Sequence, residues 1–274
     1  MLFSLGNQLS RRALVYASAP KVTLCQIGVS VTMYWLAAPF YMKAAYWLTP
    51  AILVLVVAGL IRPLISANLG TQGTRILGPT ISSTMGACGP LISVTLGVVF
   101  LAETLRWQTA IGTLGIAISI VVLTWRGNNK PDWPLWALLF PLGATTIRAT
   151  SHALAKFGLE SIPSPIFVAL VAYTVSFPLA FLYMRYRERD QTVPPVPRRG
   201  YGWMLLSGSC YGTAVLMLNT ALMWSDLVVV SPIIACTPFF TLLLGIWVFR
   251  ESEVDGRSII AVALVVPSVI LIGI

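Results

Sequence analysis

The stretch ACGPLISVTLGVVFLAE, Ala87 to Glu103, returns 148 residues later as ACTPFFTLLLGIWVFRE, Ala235 to Glu251. Six of the seventeen positions are identical: Ala, Cys, Pro, Leu, Gly and Glu. Each copy is an apolar run that closes on a glutamate, as a helix does when it leaves lipid for the interface. A second echo lies near the start. LFSLG at Leu2–Gly6 resembles LFPLG at Leu139–Gly143, and an arginine, Arg11 or Arg148, follows each five residues later. That offset is 137, so the later half gains 11 residues on the way (148 − 137). The long polar connector from Arg185 to Gly200 is the natural place for most of them.

Composition identifies the solvent. Of 274 residues, 57% are hydrophobic and only 10% charged, against about 25% charged in an ordinary soluble domain. So little polar surface cannot cover one core in water, so most of the chain must face lipid. A membrane helix needs about 20 mostly apolar residues. Such runs fall at 2–19, 23–42, 49–70, 79–101, 108–125, 134–157, 165–184, 202–224, 228–249 and 258–274. The expected fold is an all-α integral membrane protein of about ten transmembrane helices. No cleavable secretory signal is recognised, because the first run carries two arginines and no small-residue cleavage site follows it. The polar connectors are too short to be soluble domains.

Ten spans in two related sets means five in each. A second copy of an odd-numbered unit enters the membrane from the opposite side, so the expected arrangement is a pair of inverted five-helix repeats. They are placed at residues 1–127 and 133–274, with 128–132 as connector.

The four cysteines, Cys25, Cys88, Cys210 and Cys236, all lie in apolar runs. They show neither metal spacing nor a disulfide framework, and neither a metal nor any other cofactor is expected. The net charge of +9 sits mainly in the connectors, where it anchors a membrane protein against anionic lipid. Nucleic acid is not an expected partner.

Two halves of five spans, each with a Pro–x6–Gly–x5–Glu helix end, a short turn and a last span, resemble the EamA-type members of the drug/metabolite transporter superfamily. Pro90, Gly97 and Glu103 match the pattern in the first half; Pro238, Gly245 and Glu251 match it in the second. The resemblance covers essentially the whole chain and implies a multi-pass transporter of the cell (inner) membrane, with a solute and the lipid bilayer as partners. A homodimer is open. The resemblance is specific for fold and not for solute.

Orientation is read two ways. The odd-numbered connectors hold eleven basic residues and the even-numbered ones three, which places the odd connectors in the cytoplasm. The family resemblance implies cytoplasmic termini, the opposite.

The ionisable groups inside spans are arginines. Arg11, Arg12, Arg62 and Arg148 fall within apolar runs, whereas all nine acidic residues lie at span ends or in connectors. A charge near the bilayer centre costs about 2.5–3.5 kcal/mol on insertion scales, so each arginine needs a wet cavity, a partner or carbonyls to serve. Arg11 and Arg12 also fit snorkelling to an interface, and Arg62, beside Pro63, fits carbonyls freed by a kink. His152 lies one turn beyond Arg148 on the same face. Asn68, Tyr211 and Tyr16 are further cavity candidates, while Asn7, Gln8 and Asn219 suit helix–helix bonds. The candidate substrate-binding set is therefore Arg148, Arg62, Arg12, His152, Tyr211 and Asn68. Glu103 and Glu251 read as structural, ordering the turn into the next span with Arg106 or Arg257. Pro90 and Pro238 read as helix bends.

Cationic groups without membrane-buried carboxylates point to an anionic or zwitterionic solute, such as an amino acid or organic acid, moved by alternating access. A flippase for a lipid-linked anionic head group is the alternative. An integral membrane enzyme is not expected, because a metal-holding carboxylate set or a His–nucleophile pair is not apparent.

Overall fold

The computed structural model describes residues 1–62, 64–66, 69–70, 72–73, 76–77, 85–86, 88–124, 134–189, 195–237, 239–240, 243–244 and 256–273. Among them are ten α-helices: α1 (Leu2–Leu14), α2 (Ala19–Tyr41), α3 (Ala51–Ile61), α4 (Cys88–Phe100), α5 (Trp107–Thr124), α6 (Leu139–Ser161), α7 (Pro165–Arg187), α8 (Arg198–Trp224), α9 (Leu227–Ala235) and α10 (Gly256–Gly273). Single 3-10 turns at Ala44–Leu48 and Leu135–Leu138 precede α3 and α6. No strand occurs among the described residues.

Three helices, α2, α7 and α8, are long and apolar enough to cross a membrane as they stand. Shorter apolar helices lie at Ala51–Ser66, Cys88–Phe100, Trp107–Val122 and Ala263–Ile272. α1 ends at Leu14, earlier than its apolar run, with Arg11 and Arg12 in its last turn. Cations there face the negative end of the helix dipole. The chain then turns, and Pro20 at the first turn of α2 suits a new helix start. The α-helical run of α3 stops at Ile61, about 16 Å from its start at 1.5 Å per residue. Arg62 occupies the turn that follows.

Large apolar side chains cover the outside, Leu48 and Phe40 being 88% and 82% exposed. Small polar ones sit among the apolar residues of the inside: Ser4, Ser30, Ser176 and Ser207 are fully buried. Lipid is as apolar as a leucine core, so helices associate through close approach and interhelical hydrogen bonds instead of through apolar burial.

The chain divides into two compact units, and each draws on both ends of the sequence. The first comprises Met1–Leu60 and Ala155–Met223; the second comprises Ile61–Leu154 and Trp224–Ile274.

In the first unit, α2 packs on α7. The Tyr34 ring meets Tyr173 edge-on at 5.5 Å, and the Trp35 indole N–H donates to Thr174 at 3.1 Å. α8 approaches α2 along Gly208 and Gly212, one turn apart. A Cβ at Gly208 would stand 2.9 Å from Val29 Cβ and 3.0 Å from Gln26 Cα, so only glycine permits this approach. The closeness lets Ser30 donate to the Gly208 carbonyl at 3.2 Å and Tyr34 to the Gly212 carbonyl at 2.9 Å. α3 is held by Ser176, which donates to the Gly59 carbonyl at 2.6 Å. Asn219 donates to the Pro165 carbonyl at 3.3 Å. Lys156 Nζ donates to the Leu222 carbonyl at 2.9 Å, serving one of the carbonyls that the end of α8 leaves without an intrahelical donor.

In the second unit, α5 packs on α10 and α4 on α9. Ile116, Ile120, Cys236, Phe239, Val265 and Ile272 form its core. α4 ends after the Leu101 N–H reaches the Gly97 carbonyl at 3.1 Å, and Ala102 takes a left-handed backbone with φ 53°. The chain then sends Glu103 across to α9. Its two carboxylate oxygens accept the backbone N–H groups of Leu227 at 2.7 Å and Val228 at 2.9 Å. Asp226, the residue flanking α9, makes no capping hydrogen bond from its own side chain, so Glu103 fills that role from another helix end. The sequence reading gives Glu103 a structural role; its carboxylate binds open amides 124 residues away in sequence. Gly97 is required by the same contact, since a Cβ there would stand 2.6 Å from Glu103 Oε2 and 2.8 Å from Val228 Cγ1.

Candidate functional site

α6 carries the stripe from which the candidate site is built. Thr145, Arg148 and His152 follow one another at spacings of three and four, which sets them on one helix face. Thr145 is buried and its hydroxyl donates back to the Pro141 carbonyl at 2.8 Å. Arg148 Nη2 then donates to the same hydroxyl at 3.3 Å. The approach of α4 supports this side of the stripe: a Cβ on Gly89 would lie 3.1 Å from Thr145 Cγ2. The guanidinium is thus aimed by a fixed oxygen while Arg148 as a residue stays exposed.

Arg62, in the turn after α3, lies within electrostatic range of both Arg148 and His152. Arg62 and Arg148 carry like charges and repel one another. Among the described residues no carboxylate pairs with Arg148, whose hydrogen bond goes to Thr145. His152 is half-buried and its Nε2 is enclosed, with no hydrogen-bond partner among the described residues. A buried polar nitrogen left unpaired costs about 1–3 kcal/mol. Two cations beside an imidazole suit an oxyanion, which is attracted by the positive charge and offers an acceptor to a ring N–H. Among the described residues no group of His, Cys, Asp and Glu is arranged to hold a metal ion.

The candidate substrate residues divide between the units. Arg62, Arg148 and His152 come together in the second. Arg12 and Tyr211 belong to the first. Arg12 lies in the last turn of α1 with its guanidinium 5.2 Å over the Trp203 ring. Tyr211 is engaged in packing α8 on α1: its hydroxyl donates to Asn7 Oδ1 and its ring lies against Gly6, where a Cβ would meet it at 3.3 Å. Tyr16 is 37% exposed and lines a groove by α8. Asn68, Pro238, Gly245 and Glu251 lie outside the described residues. Pro90 falls in the first described turn of α4. Thr145 and Gly89 did not stand out in the sequence; Thr145 is legible only once Arg148 is taken as an anchor and the position three before it is inspected.

Comparison with known proteins adds the family. The model of the EamA-like transporter family matches residues 135–274, half of the chain. No curated protein matches. A solved crystal structure, titled only "Crystal structure of protein", superimposes with a TM-score of 0.82 at 16% sequence identity, covering 98% of this chain and 92% of that chain. At that identity the likeness is one of fold. An apolar exterior and a family match over the second half of the chain agree: the chain belongs to the EamA-like transporter family, whose members are integral membrane transporters of small solutes.

Proposed function

We propose that this protein is a secondary transporter of the cell (inner) membrane that carries a small metabolite bearing a carboxylate, either an organic acid or a zwitterion such as an amino acid. The observation that carries the reading is the meeting of Arg62, Arg148 and the unpartnered His152 Nε2 with no carboxylate paired to Arg148 among the described residues. In this reading Arg148, aimed by Thr145, binds the carboxylate; Arg62 adds the second positive charge; His152 closes the remaining oxygen. A hydrophobic cation has no counter-charge here.

Transport by alternating access follows from the repeats proposed at 1–127 and 133–274. Two similar half-structures of opposite orientation have two packings of nearly equal energy, one open to each side. The 148-residue recurrence of the Pro–x6–Gly–x5–Glu pattern supports that division.

The test is uptake by purified protein in proteoliposomes, across a panel of labelled carboxylates, amino acids and organic cations. A carboxylate-bearing solute is expected to accumulate, and Arg148→Gln is expected to cut its uptake about tenfold or more, the cost of one charge-assisted contact. Uptake of cations with carboxylates ignored would overturn the proposal.

A further inference from the structure

We propose that the groove on the first unit lined by Tyr16, Arg199, Gly202, Trp203 and Leu206 is a binding site for an anionic phospholipid, distinct from the solute site. The groove has a volume of about 500 Å³. It runs along the start of α8, from Arg199 past Gly202 and Trp203 to Leu206. Seven residues separate Arg199 from Leu206, a rise of about 10 Å. One end is therefore cationic and the other apolar. This is the order of a phospholipid, from phosphate through glycerol ester to acyl chain, over the same distance.

Several observations place the cationic end at headgroup level. Arg12 stacks on Trp203 with 5.2 Å to the ring centroid, which sets a second guanidinium beside the groove. Tyr16 packs on the helix start, where a Cβ on Gly200 would stand 2.8 Å from Tyr16 Cβ. Aromatic rings with polar edges favour this depth. Around them Arg185, Arg187, Arg189 and Arg198 are exposed. Glu188, the one described carboxylate at this end of the unit, accepts a hydrogen bond from Ser18. The charge complement is strongly one-sided and fits an anionic leaflet.

The floor of the groove is open by sequence choice. A Cβ on Gly202 would meet nothing within 4 Å, so glycine there is not demanded by packing between helices. Leu206, one turn deeper, is 49% exposed. A chain lying over Gly202 and against Leu206 would cover both.

The experiment uses full-length protein, stripped of lipid in detergent and titrated with phosphatidylglycerol, phosphatidylcholine or sn-glycerol 3-phosphate, with bound adducts counted by native mass spectrometry. Phosphatidylglycerol is expected to give more adduct than phosphatidylcholine, and Arg199→Gln to lower it about fivefold, the factor of one cation at an anionic surface. Gly202→Phe directs its ring into open space, so it is expected to abolish the adduct while leaving the thermal midpoint unchanged. Should Gly202→Phe fail to fold, Arg199→Gln decides alone. Equal adducts from the two lipids, adducts indifferent to Arg199→Gln, or retention by a folded Gly202→Phe would overturn the proposal. Equivalent binding of glycerol phosphate would overturn the lipid assignment in favour of a soluble phosphate ester.

Discussion

Removing the Glu103 carboxylate tests the linkage between α4 and α9 directly. Each of its oxygens takes one backbone N–H, at 2.7 and 2.9 Å, and the start of α9 has no capping bond from Asp226. A hydrogen bond to a charged group contributes about 1.5–3 kcal/mol. Taking the lower figure for a half-buried side chain, Glu103→Ala should cost about 3 kcal/mol, since both amides lose their acceptor. Glu103→Gln keeps one neutral acceptor and should lose about 2 kcal/mol, the charge included. Gly97→Ala approaches the same contact from the other side. Its Cβ would press on the carboxylate at 2.6 Å, with an overpacking cost of about 1–3 kcal/mol. Because both changes act on one bond pair, the double variant should fall short of the sum by about 1 kcal/mol or more. The measurement is equilibrium unfolding in mixed micelles with rising detergent denaturant, read by helicity, for the parent, the single variants and the double. A Glu103→Ala variant as stable as its parent, or strict additivity of the pair, would refute the reasoning.

Further outcomes follow from other contacts. Gly208→Leu should destabilise the first unit by about 1–3 kcal/mol, since its Cβ would collide with Val29 Cβ at 2.9 Å; unchanged unfolding would contradict the close approach of α2 and α8. Tyr34→Phe keeps the edge contact with Tyr173 and removes the donor to the Gly212 carbonyl, so it should cost about 1 kcal/mol; the same unfolding assay reads it, and a loss near zero would show that water or another donor serves that carbonyl.

Much of the helical order is legible from apolar runs alone, because polar residues collect in the connectors between helices. The centres of all ten described helices fall inside the ten runs. The ends are less legible. α1 stops at Leu14, within its apolar run, with Arg11 and Arg12 in its last turn, a polar interruption that a hydropathy average smooths over. In the candidate site, Arg148 and His152 can be paired by helical spacing, whereas Arg62 joins them only through tertiary placement. Arg12 and Tyr211 looked equivalent to those residues in sequence, yet Arg12 on α1 stacks on Trp203 and Tyr211 on α8 bonds Asn7. The partner of Glu103 was not legible, since backbone amides carry no sequence signature. The Gly208–x3–Gly212 spacing was present in GSCYG and is the kind of signal that marks a close helix crossing.

Three packed helix pairs among the described residues are α2 with α7, α5 with α10, and α4 with α9. Each joins a helix from before residue 128 to one from after it. Severing the gene there would therefore leave two fragments without their main packing partners, each a poor substrate for insertion on its own. Co-expressed, they should find each other and restore a folded product, a form of complementation in trans.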